Sequence, residues 1–294
     1  VGARDLLSDT TTVSGSARTT GPFELSTRDF DRVRRIIFEL AGIDLASSKQ
    51  NMANSRLSRR LRSHGIDSFG HYLDALESDP QFALAERQEF VNALTTNLTS
   101  FFREQHHFPV LADLLTRGLA GRQARIWCAA ASTGEEAYSI AMTVVEALGP
   151  TSGARVLATD IDTQVLATAR SGVYPEQALQ TCGQHRARRF FLRGTGANAG
   201  MVRVRPELAR LVDFEQLNLL EPAWPQLKRL GPPLDAVFCR NVMIYFNRAT
   251  QRAVLERIAA VLRPGGLLFA GHSENFTDCR QWFALRGKTV YERL

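Results

Sequence analysis

Arg125-Ile126-Trp127-Cys128-Ala129-Ala130-Ala131-Ser132-Thr133-Gly134-Glu135-Glu136 is the stretch on which the fold turns. Its apolar opening has the length and composition of a buried strand. The small-residue turn after it leads into 136–148, whose apolar spacing is that of a helix. The same alternation recurs downstream. Strand-like runs at 125–130, 155–159, 211–217, 236–239 and 267–270 are separated by helical stretches such as 136–148 and 249–262. This alternation predicts an α/β domain over 121–294, a doubly wound, Rossmann-like parallel sheet. Residues 282–293 read as a hairpin at the sheet edge.

One region is too long for a simple crossover. Between 174 and 210, a helix around 184–192, the turn Arg193-Gly194-Thr195-Gly196-Ala197-Asn198-Ala199-Gly200 and a strand over 201–205 predict an inserted small β-subdomain.

Upstream the period changes. Ser26 or Thr27 is placed to cap a helix carrying Phe30, Val33, Ile36, Ile37 and Leu40, with Gly42 ending it. Further helices are expected over 51–63, through Phe69, Tyr72, Leu73 and Leu76 until Pro80 stops the pattern, and over 86–94. Residues 22–94 thus read as a small all-helical domain, and 95–120 as an interdomain segment. The Ser/Thr/Gly-rich residues 1–21 read as a disordered leader.

Composition narrows the function classes. The chain has 294 residues, 44% hydrophobic and 22% charged, which is ordinary for globular domains. No apolar run approaches the roughly 20 residues of a membrane span, so cytoplasmic residence without membrane insertion is expected. Cys128, Cys182, Cys239 and Cys279 form no CxxC pair, and no metal site is expected. A net charge of +6 is weak evidence for nucleic acid, and an aromatic, basic strand surface for RNA is missing.

Ligands of an open α/β sheet bind beyond the carboxyl ends of its strands. Ser132 to Glu136, Asp160-Ile161-Asp162, Asn218 and Arg240-Asn241 all follow strand candidates. The first turn lacks GxGxxG, and Glu135 and Glu136 at a helix start would oppose a pyrophosphate. They suit a ligand with positive charge and no phosphate, or simply stabilise the helix dipole. Asp160 stands where an acidic residue accepts ribose hydroxyls. S-adenosylmethionine, carrying a sulfonium, an amino group and an adenosine, meets these requirements.

Four longer segments carry a specific resemblance. Thr95-Thr96-Asn97-Leu98-Thr99-Ser100-Phe101-Phe102-Arg103-Glu104, Ala129 through Glu136, Cys239-Arg240-Asn241-Val242-Met243-Ile244-Tyr245-Phe246 and Gly271-His272-Ser273-Glu274-Asn275-Phe276 resemble the bacterial chemotaxis protein methyltransferases, the CheR family, in the same order. The resemblance runs from about Phe23 to the C-terminus. It implies methyl transfer from S-adenosylmethionine to glutamate side chains of chemoreceptors, forming glutamyl methyl esters for chemosensory adaptation, by an enzyme recruited to membrane receptor arrays. It also implies that Asn97, Thr99, Arg103, Glu135, Asp160, Asn218, Leu219, Arg240 and Asn241 surround the cofactor, with Arg103 and Tyr245 nearest the reacting methyl. Arg103 either holds the acceptor carboxylate or anchors the cofactor's own. The family's usual Pro after the second Glu is Ala137 here, a change that removes preorganisation only.

Two partner surfaces are expected. Arg56, Arg59, Arg60 and Arg62 lie on one predicted helix, the first three on one face. Such a run is ordinarily a solvated face, but the resemblance implies that a positive helix of this domain docks the acidic signalling helices of receptors. The resemblance also gives the loop of Arg193, Gly194, Gly196 and Gly200 as a candidate tether for a receptor C-terminal peptide by strand addition. Other readings are a methyltransferase for RNA or a small molecule, or a non-catalytic binding module.

Overall fold

The computed structural model describes residues 23–117, 119 and 122–294. The leader expected at 1–21 lies outside them. The first four helices pack around one apolar core. In α1 (Thr27–Ala41), Ser26 accepts from the Asp29 amide and Gly42 closes the C-terminus at φ 70°. Phe30, Val33 and Ile37 of α1 meet Leu57 and Leu61 of α2 (Gln50–His64), Tyr72 and Leu73 of α3 (Phe69–Ser78) and Phe90 of α4 (Pro80–Leu94).

The fourth helix starts six residues earlier than its apolar pattern indicates. Pro80 ends α3 and also opens α4, because a proline is tolerated in the first turn, where its missing N–H has no acceptor to satisfy. Asp79 caps that turn by accepting from the Gln81 and Phe82 amides.

After α5 (His107–Arg117) the chain builds a seven-stranded sheet. Strand β1 (Arg125–Cys128) pairs in parallel with β2 (Arg155–Asp160) on one side and β7 (Leu234–Phe238) on the other. Strand β6 (Val212–Gln216) extends the sheet beyond β2, and β8 (Leu262–Phe269) extends it beyond β7. The C-terminal hairpin of β9 (Phe283–Gly287) and β10 (Val290–Arg293) adds antiparallel strands, giving the order β6-β2-β1-β7-β8-β10-β9. Strand order therefore reverses between β1 and β7, where a doubly wound sheet opens a crevice.

Alternation along the strands divides the core. Ile126, Cys128, Val156, Ala158, Ala236 and Phe238 face one layer with α5 and α6 (Glu135–Leu148). Trp127, Leu157, Val237 and Leu268 face the other, with α10 (Arg248–Val261). Burial on both faces explains why these strands read as short, nearly continuous apolar runs. All four cysteines are buried and free.

Helix α7 (Thr163–Ser171) leads from β2 into the insertion. There β3 (Val173–Pro175), β4 (Phe191–Arg193) and β5 (Met201–Val204) form an antiparallel sheet in the order β3-β5-β4, with α8 (Gln184–Phe190) before β4. The helix ends at Phe190, and Leu192, expected inside it, belongs to β4 because its pairing with Arg203 wins over helical continuation. The short helix α9 (Pro206–Ala209) returns the chain to β6. No helix among the described residues is long and apolar enough to cross a membrane.

Candidate active site

A cavity of about 350 Å³ opens at the carboxyl ends of β1, β2, β6 and β7, roofed by residues of the helical domain. Of the residues expected around a cofactor, Asn97, Thr99, Arg103, Asp160, Asn218, Leu219, Arg240 and Asn241 line it, as does Tyr245. Glu135 does not. Its carboxylate accepts from the Thr133 hydroxyl at 2.6 Å, and Glu136 lines the cavity in its place. Successive helix residues point about 100° apart, so only one of two adjacent first-turn carboxylates faces a given site. Burial holds the Glu135 carboxyl above its ordinary range.

The turn between β1 and α6 is set by close approach. Gly134 sits at φ 99°, and a Cβ there would lie 2.8 Å from the Ala169 Cβ. Ser132 is left-handed at φ 49° without being glycine, as are Phe102, Glu104 and Asn241. Such conformations cost of order 1–3 kcal/mol each and collect where surrounding structure forces them. Here they fall on the three segments that meet at the cavity.

Asp160 terminates β2 with both oxygens occupied by backbone donors. Its Oδ2 accepts from the Ser132 amide at 2.8 Å and its Oδ1 from the Asp162 amide at 3.0 Å. Burial nevertheless pushes its carboxyl up to about 6. Asp162 caps α7 and also accepts from Thr95 Oγ1 at 2.6 Å and Asn97 Nδ2 at 2.8 Å, so the interdomain segment is tied to the end of β2.

Arg240 organises the floor. Its side chain is 1% exposed, its Nη1 donates to Glu136 Oε2, and its Nη2 lies 3.3 Å from Glu104 Oε1. The same Nη2 donates to the Arg103 carbonyl at 2.8 Å. Nε of Arg240 and Oε2 of Glu104 are buried without a partner. Burial works to raise the Glu104 carboxyl, but the Arg240 charge and hydrogen bonds from His272 leave it below its ordinary value. His107, packed behind this network, is pushed down to about 4 by burial and by the Arg240 charge. Glu104, His106 and His107 bring donor atoms within 4.8 Å of one another.

Arg103 donates through Nη1 to the Leu98 carbonyl at 2.7 Å. Its Nε and Nη2 have no partner among the described residues, so part of the guanidinium fork faces the cavity uncommitted. Tyr245 is held through its backbone carbonyl, which accepts from the Asp44 amide at 2.8 Å, and its ring packs against both the helical core and the sheet core. Asn218 likewise bridges the domains, donating to the Leu40 carbonyl at 2.8 Å.

Glu274 carries a role that the sequence reading did not assign. This carboxylate, 5% exposed, accepts from the amides of Gly271, Asn241, Val242 and Met243. It holds the left-handed turn that carries Asn241, Ile244 and Tyr245 to the cavity. An acidic residue in the loop five positions after the end of β8 was the available signal. His272 donates to Glu104, whereas Asn275 is exposed and accepts only from the Thr277 amide.

The expected arginine face divides. Arg59 and Arg62 are exposed, and Arg62 stands 5.5 Å over the Phe23 ring. Arg56 instead donates to the Thr95 carbonyl at 2.5 Å, and Arg60 forks onto Glu86, a carboxylate that is 1% exposed. Arg60 joins His64 and Tyr72 in satisfying the buried Glu86 inside the helical domain, while Arg56 reaches the segment that leaves it at Thr95. Arg193 pairs with Glu176 at 3.0 Å, and Gly194, Gly196 and Gly200 belong to the β4–β5 connection, outside the cavity lining. Gly194 is required there, since a Cβ would meet the Asn198 carbonyl oxygen at 2.0 Å.

Comparison with known proteins identifies the family. The family described as "CheR methyltransferase, SAM binding domain" matches residues 97–292, and "CheR methyltransferase, all-alpha domain" matches 28–95. The chain is 52% identical over 268 residues to the chemotaxis protein methyltransferase of Escherichia coli K12, covering 91% of each chain. It is 54% identical over 271 residues to chemotaxis protein methyltransferase 2 of Pseudomonas aeruginosa, covering 92% of this chain and 94% of that protein.

Proposed function

The chain belongs to the CheR methyltransferase family, and we propose that it transfers a methyl group from S-adenosylmethionine to glutamate side chains of chemoreceptor signalling helices. The observation that carries the reading is the convergence of Asn97, Arg103, Asp160, Asn218, Arg240 and Tyr245 on one cavity between the helical domain and the sheet. Its volume of about 350 Å³ falls in the range of small-ligand sites. The donor set suits the cofactor. Asp160 is a carboxylate for ribose hydroxyls, Glu136 and Arg240 supply paired charge for an amino acid moiety, and the strand exits carry no phosphate-binding glycine loop.

When bound, S-adenosylmethionine supplies an activated methyl on a sulfonium. An acceptor glutamate is already ionised near pH 7, its unperturbed pKa being about 4.3, so no residue need remove a proton. The chain's contribution is placement. Arg103, whose Nε and Nη2 have no partner among the described residues, would hold one carboxylate oxygen and leave the other free to meet the cofactor's methyl group. Tyr245 closes the cavity beside it and excludes water. Glu136 and Arg240, buried and paired, fix the Arg103 carbonyl and with it the loop.

Docking is assigned to the exposed Arg59 and Arg62, facing the acidic receptor surface in a cytoplasmic, array-bound enzyme. The β4–β5 connection with Arg193, Gly194, Gly196 and Gly200 is a candidate tether for a receptor tail, since β3 and β4 are edge strands. Incubation with methyl-labelled S-adenosylmethionine and receptor-bearing membranes tests the reading. Base-labile label on receptors is expected, and label confined to RNA or a small molecule would overturn it.

A further inference from the structure

Two large apolar side chains stand in solvent at the cavity mouth. Leu98 is 80% exposed and Ile244 is 49% exposed, and both line the cavity. They come from different segments. Leu98 lies between the cavity residues Asn97 and Thr99, and Ile244 lies beside Tyr245 in the turn after β7. Neither position is left to chance, because the Leu98 carbonyl accepts from Arg103 and the turn bearing Ile244 is pinned by Glu274. Lys49, exposed and without a carboxylate partner among the described residues, also borders the cavity.

We propose that Leu98 and Ile244 form an apolar rim that seats the acceptor helix, gripping apolar side chains one turn before and after the methylated glutamate. The inference rests on the receptor-glutamate reading above and names what that site selects in its acceptor. Any acceptor must bring its carboxylate to this mouth, so whatever flanks the carboxylate meets these two side chains. On a helix the residues three or four positions away share the glutamate's face, about 5 to 6 Å from it. Apolar groups there cover Leu98 and Ile244 and remove water from the reacting carboxylate, which strengthens its contact with Arg103. Lys49 fits a further acidic group on the same helix. Acceptor choice is thereby set by an apolar pattern around the glutamate as well as by charge.

The test compares Leu98→Ser/Ile244→Ser with the native protein on receptor-bearing membranes, with S-adenosylhomocysteine binding measured in parallel. Expected are a rise of about tenfold in KM for receptor, a small change in kcat, and unchanged product affinity and unfolding midpoint. Leu98→Met/Ile244→Val should restore KM. Leu84→Ser, which removes an 88% exposed leucine of α4 outside the cavity lining, should leave KM alone. An unaltered receptor KM in the serine variant, or an equal effect from Leu84→Ser, would overturn the rim. A loss of S-adenosylhomocysteine affinity would also overturn it, by assigning these side chains to cofactor binding. Native enzyme that labels no receptor would instead sink the receptor-glutamate reading, a distinguishable failure.

Discussion

Arg240 and Glu136 form an ion pair with side chains 1% and 8% exposed, between the exit of β7 and the first turn of α6. It joins the two halves of the sheet at the point where strand order reverses, and through the Arg103 carbonyl it reaches the segment arriving from the helical domain. Removing Arg240 leaves Glu136 and Glu104 without their shared cation, a change that costs about 3–5 kcal/mol, whereas removing Glu136 leaves Arg240 paired with Glu104 alone and costs less. Arg240→Met and Glu136→Leu should each lower the unfolding midpoint and abolish tight S-adenosylhomocysteine binding. The double variant still leaves Glu104 without Arg240, so it should recover part of the stability lost in Arg240→Met and none of the affinity. Scanning calorimetry with isothermal titration reads both, and additive losses in the double variant would contradict the pairing.

Glu274 should behave as a positioning residue. Its four amide donors come from the turn of Asn241 to Met243 and from Gly271, and each buried donor left unmet costs about 1–3 kcal/mol. For Glu274→Ala we expect a protein that retains its sheet but binds S-adenosylhomocysteine at least about tenfold more weakly. Glu274→Gln, which keeps one acceptor oxygen and adds two donors facing amides, should fall between. Circular dichroism alongside titration calorimetry separates local from global loss.

Cofactor affinity should depend on pH through Asp160. Burial raises its carboxyl to about 6, and the ionised form is the one that accepts ribose hydroxyls. Affinity should therefore be flat above about pH 7, bend through pH 6 and approach a decline of about tenfold per unit below about pH 5, as protonation converts the acceptor oxygen into a donor. Asp160→Asn should bind weakly with this acid limb gone. Dissociation constants measured from pH 5 to 8 check the slope, and an acid limb retained in Asp160→Asn would assign it to another group.

The arginine helix predicts two different phenotypes from neighbouring residues. Arg59→Glu and Arg62→Glu should raise the receptor KM, with a deficit relative to the native protein that grows as salt is lowered and attraction gains range. Arg56→Met should instead weaken cofactor binding at any salt, because the Thr95 carbonyl it holds belongs to the segment carrying Asn97 and Thr99. Methylation rates over a salt series, together with S-adenosylhomocysteine titration, discriminate the two. Identical salt profiles for Arg56→Met and Arg59→Glu would refute the division.

Sequence alone determined the alternation that makes a doubly wound sheet, because strands buried on both faces and helices of period 3.6 write themselves into apolar spacing. It determined that polar residues gather at strand exits, and its four ordered motifs carried the family. Tertiary structure decided what each polar group does. Adjacent positions such as Glu135 and Glu136, or Arg59 and Arg60, look equivalent in a linear pattern, yet a rotation of about 100° per residue sends one to the cavity or a buried partner and its neighbour elsewhere. Glu274 shows the same limit, since four amide donors brought together by separate strands define its role. Charge and periodicity are local properties of the chain, whereas a partner for a buried charge is supplied by residues over a hundred positions away, as Glu136 is for Arg240.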